Sequence, residues 1–260
     1  MRKQPAEAPV TPSSLTSFKP QPALQSRVAS IDIIEIGGGH TTVLPRAGAV
    51  LGFQFYGRVG TDDGLLSVAG VTGIQQETRR YTYAGDTGSV LVRFTPQGVA
   101  SLGLPAHELT GRSVPLDALI APQCARTTHE RIVAAPNSQA RVAAVEELLL
   151  GMPFITDRLV ARALELLAAT DGGDASVAAV ARSVGLSERQ LERRVLLRVG
   201  LTPKRLARLL RFERAVTLCR EPISLTAVAL AAGYADQSHF IREFRRFTGA
   251  PPSTILRRPR

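Results

Sequence analysis

The chain has no tryptophan, two cysteines and an aromatic content of 5%. Two cysteines, Cys124 and Cys219, supply neither a disulfide framework nor a zinc-ligand spacing. No run of about 18 apolar residues occurs, so no membrane-crossing helix is expected. The opening stretch MRKQPAEAPVTPSSLTSFKPQP is too polar and proline-rich for a signal peptide, and it reads as a disordered tail over residues 1–27. The cytoplasm is the expected compartment. Groupings that carry catalysis are also missing. His40, His107 and His129 are scattered without ligand spacing, and the glycine-rich IGGGH at 36–40 is followed by no helical pattern that would make it a phosphate cradle. Neither an enzyme nor a resident metal or cofactor is expected.

What the chain does have is positive charge, placed unevenly. Its net charge is +10, and residues 154–260 hold 19 of the 32 Lys and Arg but only 10 of the 22 Asp and Glu. Nearly all of the excess therefore lies in the C-terminal part, and it is carried mostly by arginine. Such asymmetry favours an anionic partner, nucleic acid first.

Hydrophobic periodicity divides the chain in the same place. Between residues 28 and 122, short β-branched or aromatic runs such as SIDIIEI, AVLGFQFYGRV, RRYTYAG and SVLVRFTP alternate with Gly, Asp and Pro. They predict a small antiparallel barrel or sandwich. Phe53, Phe55, Tyr56, Tyr81 and Tyr83 are its candidate pocket aromatics. A short helix is expected near 99–102. From Asn137 the period becomes helical, with a helix over 139–150 ended by Gly151 and Pro153. Everything beyond reads as helix. The expected class is thus α+β: a tail over 1–27, a β-rich domain over 28–153 ending in a helix, and an all-α domain over 154–260.

The helical part repeats itself. Val180 corresponds to Val228 and Gly185 to Gly233 at an offset of 48; Leu191, Val195, Gly200 and Pro203 correspond to Phe240, Phe244, Gly249 and Pro252 at an offset of 49. Each copy reads as a short helix, a glycine turn and a second helix. Ser187, with Gln190 three residues on, has capping-box spacing, and Asp236 starts the second copy's second helix. Between the copies, Leu206, Leu209, Leu210, Phe212 and Val216 give one wide apolar face to a linker helix over 203–219, about 25 Å long.

The stretches AVARSVGLSERQLERRV, RLARLLRFERAVTLCRE and AVALAAGYADQSHFIREFRRFTGAPPSTI resemble the DNA-binding domain of AraC/XylS-family transcriptional regulators. The resemblance covers residues 157–258. Ser238-His239 departs from the residues often found there, which bears on base preference. The resemblance implies two helix-turn-helix units that enter successive major grooves of double-stranded DNA, with Arg189, Glu192 and Arg193 facing the groove in the first. With the apolar residues turned inward, the outer arcs hold Arg189, Gln190, Glu192, Arg193 and Arg194 in the first unit, and Gln237, Ser238, Ile241, Arg242 and Arg245 in the second. Arginine can bond guanine with two hydrogen bonds, and Ile241 can meet a thymine methyl. Lys204, Arg205 and Arg246 are expected on phosphates, which position without specifying. The β-rich part resembles, less closely, sensor-like domains ahead of this DNA-binding domain, so a small-molecule effector, a homodimer partner and RNA polymerase stay open as partners. The alternative is a DNA-repair methyltransferase fusion, since such proteins carry the same DNA-binding domain; their cysteine cluster is here reduced to Cys124.

Overall fold

The computed structural model describes residues 10–169 and 177–256. The N-terminal part is built on two antiparallel sheets. Six strands form the larger: β1 (Ser14–Phe18), β2 (Val28–Ile36), β4 (Val50–Tyr56), β7 (Ala69–Thr72), β9 (Thr87–Phe94) and β10 (Ser113–Pro115), in the order β1-β2-β9-β4-β7-β10. The smaller sheet joins β3 (Gly39–Val43), β5 (Val59–Thr61), β6 (Gly64–Leu65) and β8 (Arg79–Tyr83) in the order β3-β8-β5-β6. The two sheets face each other across a cavity.

The period of two in the larger sheet separates two environments. Ile31 and Ile33, Leu51, Phe53 and Phe55, and Val90, Val92 and Phe94 turn to a core closed by helices α1 (Pro96–Ser101), α2 (Ala106–Leu109), α3 (Pro122–Ala134) and α4 (Ser138–Gly151). The alternate positions Ile34, Ile36, Val50, Gly52, Ser89, Leu91 and Arg93 turn to the cavity. Ile33 faces Val90 and Phe53 faces Val90 across the ladders, so the register keeps the two sets apart. A slip of one residue would drive Arg93 into the apolar core, which fixes the pairing.

Several expectations are revised. The disordered tail over 1–27 is corrected from Ser14 onward: β1 pairs with β2 along its whole length, Ser14 opposite Glu35 through Phe18 opposite Ile31, and Gln21 N–H donates to Glu146 at 2.7 Å. Main-chain pairing along the open edge of β2 orders a segment whose composition alone would not. The first nine residues of that tail lie outside the described residues. The run AVLGFQFYGRV, read as one strand, breaks at Gly57, where φ is +69° and a Cβ would sit 2.4 Å from the Asp86 carbonyl oxygen. The chain thereby leaves β4 in one sheet and enters β5 in the other. Helix α3 was not anticipated. Helix α4 matches the expected one to within a residue at each end, with Asn137 capping the Ala140 N–H at 2.9 Å.

The C-terminal part is helical: α5 (Arg158–Ala169), α6 (Val177–Ser183), α7 (Glu188–Val199), α8 (Pro203–Leu218), α9 (Leu225–Ala232), α10 (Gln237–Thr248) and α11 (Pro252–Ile255). Its hydrophobic cluster is not closed by helices alone. Ala47, Ile74 and Ala100 from the β-rich part are buried members of it.

Candidate nucleic-acid interface

The two copies of the repeat fold alike down to single hydrogen bonds. In the first, Leu186 N–H donates to the Ala181 carbonyl at 2.9 Å and Gly185 N–H to Arg182 at 3.1 Å. In the second, Tyr234 N–H donates to Ala229 at 2.8 Å and Gly233 N–H to Leu230 at 2.9 Å. Both glycines have positive φ, +69° and +87°. This arrangement closes a helix and sends the chain into a tight turn. Ser187 and Asp236 then cap the second helices: Ser187 forms the reciprocal capping box with Gln190, and the Asp236 carboxylate accepts from His239 N–H at 2.7 Å. Each second helix ends on a left-handed glycine, Gly200 or Gly249. Helix α8 starts from the Thr202 cap with Pro203 in its first turn and runs as the expected linker.

Aromatic packing fixes α10. Phe240 and Phe244 are fully buried, and the Phe212 ring on α8 lies 5.3 Å from Phe244 and 4.7 Å from Phe247. Burying each phenylalanine contributes about 1.5–3 kcal/mol. Across the same contact Arg208 donates twice to the Glu243 carboxylate, both bonds 2.9 Å long. The helix is thus held on one side by apolar contact and a two-bonded ion pair, and its other side is left outward.

The outward side carries most of the residues singled out in the sequence. Arg189, Glu192 and Arg193 on α7 and Ser238, Arg242 and Arg245 on α10 are exposed, as are Lys204 and Arg205 at the start of α8. Among the described residues, no ion pair neutralises Arg189, Arg193, Arg242, Arg245 or Lys204. Five other candidates are tied down in part. The Gln190 carbonyl oxygen accepts from Ser187 N–H at 2.9 Å, and that of Gln237 accepts from the Thr226 hydroxyl at 2.7 Å. Arg194 turns back to Asp157 at 3.3 Å, the residue that also caps α5. Ile241 packs against the core. Arg246 is 71% exposed and lies 3.8 Å from Glu243. The two glutamine amides keep their N–H donors.

The candidate pocket aromatics divide. Tyr81 and Tyr83 line the cavity between the sheets; Phe53 is fully buried in the core on the helix-covered side of the larger sheet, Phe55 lies beneath the Arg141 guanidinium at 4.1 Å, and Tyr56 is exposed. Cys124 is exposed on α3, and Cys219 is buried at the end of α8. Among the described residues, no three His, Cys, Asp or Glu side chains are grouped to hold a metal ion, and no helix is long and apolar enough to cross a membrane.

Sequence reasoning missed how the two parts meet. Helices α1 and α2 pack on α7, and the Thr110 hydroxyl lies 3.0 Å from the Gly200 carbonyl oxygen. Thr78 N–H donates to the Phe247 carbonyl at 3.3 Å, and Arg46 pairs with Glu213 of the linker helix at 3.5 Å. Burial raises the Glu213 carboxyl above its ordinary value, and the nearby Arg46 opposes that shift. The β-rich part therefore touches the C-terminal ends of both second helices and the middle of the linker. Long-range contacts of this kind leave no periodic signal in a sequence.

Comparison with known proteins gives the same reading. The family described as "Helix-turn-helix domain" matches residues 180–258. The chain is 40% identical over 78 residues to the HTH-type transcriptional activator RhaS of Escherichia fergusonii, which is 30% of this chain and 28% of that protein. The match thus spans little more than a quarter of the relative. Among solved structures, an AraC-type transcriptional regulator from Chromobacterium violaceum is 29% identical, covering 37% of this chain and 87% of that one with a TM-score of 0.35. Fatty-acid-bound ToxT from Vibrio cholerae is 13% identical over 86% of this chain and 93% of that one, with a TM-score of 0.49. None of these supports the methyltransferase alternative. By its sequence match and its paired turn geometry, the C-terminal part of this chain is an AraC/XylS-type helix-turn-helix domain.

Proposed function

We propose that the protein is a transcriptional regulator that binds specific double-stranded DNA in the cytoplasm, with α7 and α10 in successive major grooves. It acts as a binding protein, not an enzyme. The observation that carries this reading is the pair of units with matching turn hydrogen bonds, each presenting arginines without ion-pair partners on the outward side of its second helix, Arg189 and Arg193 in the first two turns of α7 and Arg242 one turn into α10. In a helix-turn-helix, those N-terminal positions reach base edges. Arg189 and Arg193 in the first unit, and Arg242 with Arg245 in the second, are assigned to the grooves. Ser238, Glu192 and the amide donors of Gln190 and Gln237 complete the reading surface. Lys204, Arg205 and Arg246 are assigned to phosphates. Arg194 and Ile241 support α7 and α10 from behind.

The division of labour follows the charge. The DNA-binding domain begins after residue 153, where the net charge becomes strongly positive, and the β-rich part before it is the regulatory domain, open to a small-molecule effector. RNA polymerase would be the downstream partner, and self-association would double the footprint. Hydroxyl-radical footprinting of the full chain on DNA selected from a random pool tests the core of this proposal. It predicts two protected major-groove segments per chain, about 34 Å apart and unlike in sequence. One protected segment per chain would contradict it.

A further inference from the structure

The cavity between the two sheets measures about 530 Å³, within the range of roughly 300–1,000 Å³ typical of small-molecule sites. Its body is apolar, formed by residues such as Leu15, Ile34, Ile36, Val43, Val50 and Leu91. Among the described residues, Arg93 is the only charged one lining it, and the buried Asp32 carboxylate holds that half-buried guanidinium in an ion pair. Arg79, which donates to the hydroxyl of the lining residue Ser113, is likewise held by Asp63. Two tyrosines project from β8. The Arg79 guanidinium lies over the Tyr81 ring, 5.9 Å from its centroid. No hydrogen bond to the Tyr83 hydroxyl occurs among the described residues, and burial, with the neighbouring Tyr81, pushes it up to about 12. At neutral pH it is an uncharged donor facing an apolar space.

The strands that line this cavity end in the loops that touch the DNA-binding part. Loop 44–49 joins Val43 to Val50, and both residues line the cavity. Within it Ala47 is buried in the helical cluster and Arg46 pairs with Glu213. Loop 73–78 joins Thr72 of β7 to β8. Within it Ile74 is buried in the same cluster and Thr78 bonds the end of α10. An isolated β-bridge between Arg46 and Gln75 ties the two loops together. There is little slack: a Cβ at Gly48 would fall 1.9 Å from the Phe94 carbonyl oxygen, and one at Gly73 2.1 Å from that of Leu109.

We infer that the cavity binds a neutral, largely apolar small molecule carrying a hydrogen-bond acceptor for Tyr83, and that loops 44–49 and 73–78 report its occupancy to the linker helix and the second DNA-reading unit. This deepens the regulatory role proposed above and rests on it for the second half. An anionic ligand is disfavoured, because each arginine at the site already has its carboxylate and a second anion would have to displace it. A ligand that spreads the sheets shifts strand ends that are packed directly into the helical cluster, so it alters the packing on which α8 and α10 rest.

The test uses the full chain and a panel of matched aromatic ketones and carboxylates, 2-acetylnaphthalene with 2-naphthoate among them, followed by saturation-transfer NMR and thermal shift. Ketones bind at least about tenfold more tightly than their carboxylate partners at pH 7.5, and Tyr83→Phe weakens ketone binding about fivefold. Carboxylates binding as tightly as ketones, or Tyr83→Phe without effect, overturns the ligand assignment. A bound ketone also changes the affinity for selected DNA. Ile74→Ala, and independently the half-exposed Arg46→Ala, reduce that change while ketone binding persists. An undiminished change in both variants overturns the loop coupling. A chain that binds ketones but no DNA sequence selectively upholds the cavity assignment and sinks the proposed function; selective DNA binding with no ketone bound overturns the cavity assignment alone.

Discussion

The Thr110 hydroxyl lies 3.0 Å from the carbonyl oxygen of Gly200, the left-handed residue that ends α7. Gly249 is its counterpart at the end of α10, with φ of +77° against +89° at Gly200. The repeat makes the two glycines equivalent, but their surroundings differ. A Cβ at Gly200 would meet Thr110 Oγ1 at 2.4 Å and the Ala106 carbonyl oxygen at 2.5 Å, whereas one at Gly249 meets nothing within 4 Å.

The first prediction follows from that inequality. Gly249→Ala costs the left-handed penalty alone, about 1–2 kcal/mol. Gly200→Ala adds a clash with backbone and costs clearly more. Urea midpoints of the two variants measure the difference; equal losses would show that the packing of α2 on α7 is not firm.

The second concerns the brace between α8 and α10. Removing Arg208 leaves the Glu243 carboxylate, only 15% exposed, without its two bonds. Arg208→Ala destabilises by about 1.5–3 kcal/mol. The double change Arg208→Met with Glu243→Leu recovers most of that loss, because no unpaired carboxylate remains. Chemical denaturation reads both, and a double variant no better than the single one would refute the desolvation argument.

Much of this architecture was legible in the sequence, and the omissions have physical causes. The helix-turn-helix units were readable because glycine, cap residue and apolar spacing all repeat at one offset. Helix α3 was missed because its buried face offers only Ala125, Thr128 and Ile132, one large buried apolar residue in 13. Strand β1 was missed because SLTSF lies almost wholly exposed at a sheet edge, held by main-chain bonds that any sequence can make. On the outer arcs of α7 and α10, Arg189, Glu192, Arg193, Ser238, Arg242 and Arg245 are exposed, whereas Ile241 packs against the core. The hydrogen bonds that divert Arg194 to Asp157 and Gln237 to Thr226 depend on residues 37 and 11 positions away and carry no local signature.

The third prediction is a pH dependence. Burial raises the folded-state pKa of Glu213 above its unfolded value. Its contribution to stability is therefore fully present below the unfolded value, near 4.5, and is lost as pH rises through the folded one. Glu213→Gln removes this term. The stability difference between wild type and variant should shift in favour of wild type as pH falls from 7 towards 4.5. A difference constant across that range would mean that Glu213 is solvated in the folded chain.

The central claim is that α7 and α10 each read bases. The direct measurement is the affinity of Arg193→Ala, Arg242→Ala and Lys204→Ala for selected DNA and for a scrambled duplex, at several salt concentrations. Each arginine variant loses about 1–3 kcal/mol on the selected sequence and little on the scrambled one, so its specificity ratio falls. Lys204→Ala weakens both alike and flattens the salt dependence. Unchanged specificity ratios in both arginine variants would contradict the account.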